Sequence, residues 1–161
     1  VDDKFTTMLM SILKLSPIFP LYYKGKTIFY PIHVTDICEI IENVILNEVR
    51  EETIECVGPE KITFREIIER LLKTLESDRF LIPMPLFFAK TLASFLEIVM
   101  KNPLLTKDQL VLLNYNNEPS GKYKTNLDLK LNANMKFFND EISRYSYMWK
   151  TEGEFSKKKN N

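Results

Sequence analysis

The chain carries one histidine, His33, three residues before Asp36 in the run TIFYPIHVTDICEIIENVI (Thr27 to Ile45). An imidazole near a carboxylate is the pairing that makes a general base, because the carboxylate orients the ring and steadies its charge. The setting here points elsewhere. A strand-like apolar run precedes the histidine and a helical pattern follows the aspartate, so both sit at a strand-to-helix junction. There a histidine bonds locally to fix the joint, and an aspartate caps the helix. No Gly-x-Ser-x-Gly surrounds a serine, so no nucleophile triad can be built around His33. Tyr22 and Lys26 form a Tyr-x-x-x-Lys pattern. That pattern lowers a tyrosine pKa only on a helix, where positions i and i+4 share a face. Pro20 and Gly25 bracket it, and the segment reads as strand and turn. A phosphate-cradling loop needs closely spaced glycines. Gly25, Gly58, Gly121 and Gly153 stand far apart, which excludes a dinucleotide fingerprint and a P-loop. Glu51-Glu52 and Asp140-Glu141 read as solvated faces, not as an acid and base pair. Tyr115, Tyr123, Tyr145 and Tyr147 read as core or surface packing rather than pocket lining.

The elements that would position these residues follow from periodicity. Residues 3–15 predict a helix with Phe5, Met8, Leu9, Ile12 and Leu13 inward, ended by Pro17 and Pro20. Two aromatic runs, 19–23 and 27–34, read as strands about a turn at Lys24-Gly25-Lys26. Pro31 places the second at an edge or a strand end. Asp36 and Glu39 form a capping-box-like start, with Thr35 as the alternative cap. The helix they open is expected to bury Ile37, Ile40, Ile41, Val44 and Ile45. A short strand, 53–57, stops at Gly58-Pro59. Thr63 and Glu66 form a second capping box, opening a helix with the stripe Phe64, Ile67, Ile68, Leu71, Leu72 and Leu75. Residues 79–82 read as a strand and 106–114 as a short helix. The helix expected over 86–101 is so apolar that it needs cover on more than one side. Residues 114–126 read as a polar loop, and 137–150 as a helix holding Ile142, Tyr145, Met148 and Trp149. Residues 151–161 read as a charged, disordered tail. With no repeat and no dividing linker, 1–150 is expected to form one unit. The fold class is α/β, as a helix-rich α+β arrangement of about six helices and a few short strands. That is too little sheet for a complete doubly wound domain.

Composition excludes several partners. Lysine plus arginine equals aspartate plus glutamate at 22 each, so no basic excess points to nucleic acid or an anionic membrane. The longest uncharged run, 80–89, holds two prolines, whereas a spanning helix needs about 20 apolar residues. No spanning membrane segment and no signal peptide are expected. Cys38 and Cys56 are too widely spaced to make a metal site with a single histidine. A disulfide is open to them, but two buried thiols in a reducing, cytoplasmic setting is the favoured expectation. The chain does not begin with methionine, and is expected to be a processed or excised piece of something longer.

Four runs in order carry a resemblance: GKTIFYPIHVTDICEIIENVI, IECVGPEKITFREIIERLLKTL, RFLIPMPLFFAKTLASFLEIV and PLLTKDQLVLL. They resemble the C-terminal half of extended and atypical short-chain dehydrogenases, the NAD-dependent epimerase/dehydratase family. The similar branch is the nucleoside-diphosphate-sugar epimerase-like proteins akin to the NAD(P)-binding accessory subunit of respiratory complex I. The resemblance spans about residues 3–148. In that family the N-terminal half carries the glycine-rich cofactor loop and the catalytic Tyr-x-x-x-Lys. The resemblance therefore implies a substrate-side lobe lying over a Rossmann domain, with no cofactor and no catalysis of its own. NAD(P) would belong to a full-length parent. It further implies Lys26, Phe29, Tyr30 and His33 as substrate-binding candidates, and Asp36 as a structural joint toward the cofactor domain. Sugar-nucleotide epimerases often place an arginine four residues before the family histidine, where it clamps diphosphate. This chain has Phe29 there, which argues against a classical diphosphate-sugar substrate and for the atypical branch. The implied partner is the Rossmann half of the same parent chain or a partner protein, with self-association through the surface that half would cover. The alternative is a non-catalytic interaction module whose 86–101 helix docks on a partner or a membrane surface.

Overall fold

Thr63 and Glu66 start the central helix as their spacing predicts. In the computed structural model, α3 (Phe64–Thr74) opens with Thr63 Oγ1 accepting from Glu66 N at 3.2 Å, and Glu66 Oε2 accepting from Thr63 N at 2.6 Å. Two N–H groups at the helix start are thereby satisfied. The stripe Phe64, Ile67, Ile68, Leu71, Leu72 and Leu75 is buried throughout. Past the helix end, Glu76 turns left-handed at φ +50°. Ser77 N then reaches Leu72 O at 3.1 Å and Glu76 N reaches Lys73 O at 3.2 Å, the paired bonds of a Schellman ending. The structure describes residues 4–85, 87–91, 94, 107–132 and 134–149, without the side chains of Gln109, Tyr145, Tyr147 and Met148.

Around α3 the core closes with one departure from the expected faces. α1 (Lys4–Leu15) buries Thr6, Leu9, Met10 and Leu13, while Phe5 is exposed and Met8 and Ile12 only flank the core. Its inner face is turned by one position. The helix lies against α3, the strand Ile18–Leu21 and the C-terminal turn Ser146–Trp149, and Met10 is fully buried. Short helices Lys107–Leu112 and Phe138–Tyr145 add Leu110 and Ile142 to the same core, and Trp149 closes it. Positions 87–91 and 94 are helical. The remainder of the helix expected over 86–101 lies outside the described residues, as do Thr106 and the tail 151–161. Among the described residues no helix is long and apolar enough to cross a membrane.

Among the described residues the strands form three two-stranded pairs. β1 (Ile18–Leu21) runs parallel to β5 (Phe80–Pro83), β2 (Ile28–Phe29) antiparallel to β4 (Ile62–Thr63), and β3 (Ile54–Glu55) parallel to β6 (Lys124–Thr125). Mixed helices and a few short strands place the chain in the α/β class in its coarse sense. The expected strand 27–34 shrinks to two residues. Pro31 cannot donate to a ladder, the Tyr30 carbonyl turns to accept from Gly58 N at 3.2 Å, and the next helix already starts at Val34. β4 and β6 arise where no strand pattern stands, β6 within the stretch expected to be loop.

The β1–β5 pair is half covered. Phe19 and Leu21 face the core, while Ile18, Phe80 and Ile82 on the opposite face are exposed. Phe80 N donates to Pro17 O and Met84 N to Leu21 O, so Ile18 and Pro20 turn their backbone groups to the outer edge of β1. That edge is closed. Ser16 Oγ accepts from Ile18 N at 3.2 Å and donates to Ile18 O at 2.7 Å, and Pro20 has no N–H.

One expectation about the cysteines is corrected. Cys38 and Cys56 are free, and both are exposed rather than buried. Cys38 lies on the outward side of its helix, and strand alternation turns Cys56 out as Val57 turns in.

Candidate functional site at the His33–Asp36 junction

α2 (Val34–Leu46) begins two residues earlier than its capping pattern predicts. His33, not Asp36 or Thr35, is the N-cap. Its Nδ1 accepts from Thr35 N at 3.3 Å and lies 2.8 Å from Thr35 Oγ1. The ring can accept from a backbone N–H because its own residue has an extended backbone, φ −78° and ψ 145°. Across the junction, His33 Nε2 stands 3.5 Å from Glu141 Oε2, and Glu141 Oε1 stands 3.2 Å from Arg144 Nη1. Lys136 Nζ donates to Thr35 Oγ1. A neutral imidazole with its proton on Nε2 satisfies both contacts, accepting at the cap and donating toward the carboxylate.

Asp36 is 2% exposed and sits inside the first helical turn. Its Oδ2 accepts from Lys136 N at 2.9 Å, and its backbone carbonyl accepts from Asn132 Nδ2 at 2.9 Å. Farther along, Asn43 Nδ2 donates to Leu131 O at 2.6 Å. Asp36, Ile40 and Asn43 therefore form the inner face of α2. The expected apolar stripe is not the buried one: Ile40 is covered, Ile37 and Val44 are half-buried, and Ile41 and Ile45 are exposed. Two polar anchors to the 131–136 segment set the helix rotation against its own apolar pattern.

Phe29 faces an aromatic group, its ring centroid 6.3 Å from Phe5 and 6.4 Å from Phe64. Tyr30 is half-buried and Lys26 is exposed on the turn. Tyr22 belongs to the core, and burial pushes its hydroxyl up to about 12. A catalytic tyrosine needs the opposite shift. The Tyr22–Gly25 segment is a tight turn with Tyr23 and Lys24 in left-handed conformations, so Tyr22 and Lys26 do not share a helix face. Two glycines are taken by the fold: a Cβ on Gly25 would meet Arg65 at 2.8 Å, and one on Gly58 would meet Pro31 O at 1.6 Å. Gly121 is open but leads into a strand, not a helix start. An open hollow of about 450 Å³ lies at the far end of α3, lined by Leu72, Lys73, Glu76, Arg79 and Leu81 among others, away from the sequence candidates.

A general base needs a lone pair aimed at a substrate proton. At His33 one ring nitrogen serves the helix cap and the other faces Glu141. Sequence reasoning missed Glu141, Lys136 and Asn132, which lie about 100 residues from His33 and Asp36 in the chain. Local spacing carries no signal for them. Tyr115 and Tyr123 are exposed, and the side chains of Tyr145 and Tyr147 lie outside the described residues. Among the described residues no group of three metal-ligating side chains forms. Compared with known proteins, the chain matches no family model and no curated protein.

Proposed function

We propose that this chain is the substrate-side lobe of an NAD(P)-dependent nucleoside-diphosphate-sugar epimerase/dehydratase-like protein, cytosolic and not catalytic by itself. The carrying observation is the β1–β5 pair, two parallel strands with one apolar face uncovered. Parallel strands normally lie inside larger sheets with both faces covered. A pair left in this state fits a piece of an α/β assembly whose remaining sheet is elsewhere. Lys26, Tyr30 and His33 would then line the substrate side, and NAD(P) would sit on the other half.

A second reading is favoured by Phe29. It stands where a diphosphate-clamping arginine would be needed and packs against Phe5 and Phe64. A lobe so filled suits a non-catalytic interaction module. Calorimetry on the chain with NADH, NADPH and UDP-glucose separates the two. The lobe reading expects no heat from either dinucleotide and weak UDP-glucose binding that Lys26→Ala lowers. Silence from all three moves the assignment to the interaction module. Micromolar dinucleotide binding overturns both.

A further inference from the structure

Val34, Cys38, Ile41 and Ile45 recur along α2 at intervals of four, three and four residues. Intervals alternating between three and four are the a/d spacing of a helix that pairs with another helix. All four are exposed: Val34 at 50%, Ile41 at 54% and Ile45 at 69%, with Cys38 also outward. The rotation fixed by Asp36 and Asn43 turns this seam away from the core. It runs for three turns, about 16 Å at 1.5 Å per residue. One flank is formed by Ile37 and Val44, half-buried against the fold. The other flank carries Glu42, exposed and without an ion-pair partner among the described residues. Of the six carboxylates in residues 34–52, Asp36 is turned inward and Glu48 and Glu52 pair with Arg50 and Lys124, so the charge that flanks the seam unpaired is Glu42.

We propose that α2 is a docking helix that pairs along Val34, Cys38, Ile41 and Ile45 with one amphipathic helix of a partner protein bearing lysine or arginine beside Glu42. Charge selects this occupant over a second copy. Two copies crossing antiparallel about Ile41 would bring Glu42 beside Glu42, and like charges flanking a seam oppose pairing. The seam is shorter than a standard interface, so the docking is weak and reversible, with Kd on the order of 10–100 µM. The pairing does not depend on the dehydrogenase reading, and it involves neither Lys26 nor any nucleotide.

The test uses the whole chain and a fluorescein-labelled amphipathic peptide of about three heptads, with leucine at a and d and lysine at e and g. A matched peptide carries glutamate at e and g. Anisotropy is expected to show the lysine peptide binding at least about tenfold more tightly than the glutamate peptide. Ile41→Ser with Ile45→Ser abolishes binding, and both sites are exposed, so the fold is kept and circular dichroism verifies it. Glu42→Lys reverses the preference between the peptides. Equal binding of the two peptides, or binding unchanged in the serine double variant, overturns the proposal. So does a dimer of the parent chain that sedimentation resolves and Ile41→Ser disperses, because the seam then belongs to a second copy.

Discussion

Single residues hold this fold where the chain crosses itself. Asn126 is fully buried and acts as a short strand in side-chain form: its Oδ1 accepts from Val57 N at 2.7 Å and its Nδ2 donates to Val57 O at 3.2 Å. Asn126→Ala leaves both Val57 groups unpaired in the interior, and denaturant unfolding should show a loss of roughly 2–4 kcal/mol. Gly58 passes so near Pro31 that a Cβ would lie 1.6 Å from the carbonyl oxygen. Gly58→Ala is expected to cost on the order of 4 kcal/mol or to prevent folding, read by the same titration. Tyr22 gives the alkaline limb a direction. Burial raises its hydroxyl to about 12, while in the unfolded chain it ionises near 10. Between these pH values the unfolded chain has released a proton that the folded chain keeps, so stability falls as pH rises. Below about pH 10 both states are protonated and the contribution is level. Tyr22→Phe should flatten the drop between about pH 10 and 12 in urea midpoints compared with the parent chain. None of these roles is legible from local sequence, since Asn126 and Val57 are 69 residues apart.

Elements were legible to the extent that their own pattern decided their placement. α3 is the clear case: its capping box and apolar stripe agree, and the structure keeps both. Thr63→Ala should cost about 1 kcal/mol in thermal unfolding, through the lost cap alone. For α2 the pattern lost to two polar anchors, because a buried Asp36 and a hydrogen-bonded Asn43 outweigh where isoleucines would otherwise point. β4 was illegible for a related reason: it is defined by its pairing with β2, not by an alternation of its own, and β2 keeps only the two residues of the expected strand 27–34 that find a partner. Helix ends offer a direct gain. Glu48 and Glu76 occupy the left-handed position after α2 and α3, at φ +49° and +50°. A side chain pays strain there that glycine does not. Glu48→Gly and Glu76→Gly should each raise stability by about 1 kcal/mol, measured as a shift in the unfolding midpoint.

At the scale of the whole molecule, the exposed face of β1–β5 sets how copies behave together. Ile18, Phe80 and Ile82 present an apolar sheet surface to solvent. Phe80→Thr with Ile82→Thr should lower self-association in sedimentation at high concentration while leaving the melting temperature within about 2 °C, since little buried area is lost. A parent chain that is strictly monomeric at high concentration would count against that association. The two edges of this pair are not equivalent. β5 turns the backbone N–H and C=O of Leu81 to its outer edge, with Pro83 beyond it, while β1 is closed by Ser16 and Pro20. For strand-by-strand addition each copy thus has a valence of one. Two copies can join edge to edge, and the product has no strand left to offer. Growth ends at the pair, so a single serine hydroxyl and a proline keep an apolar sheet fragment from templating a fibre.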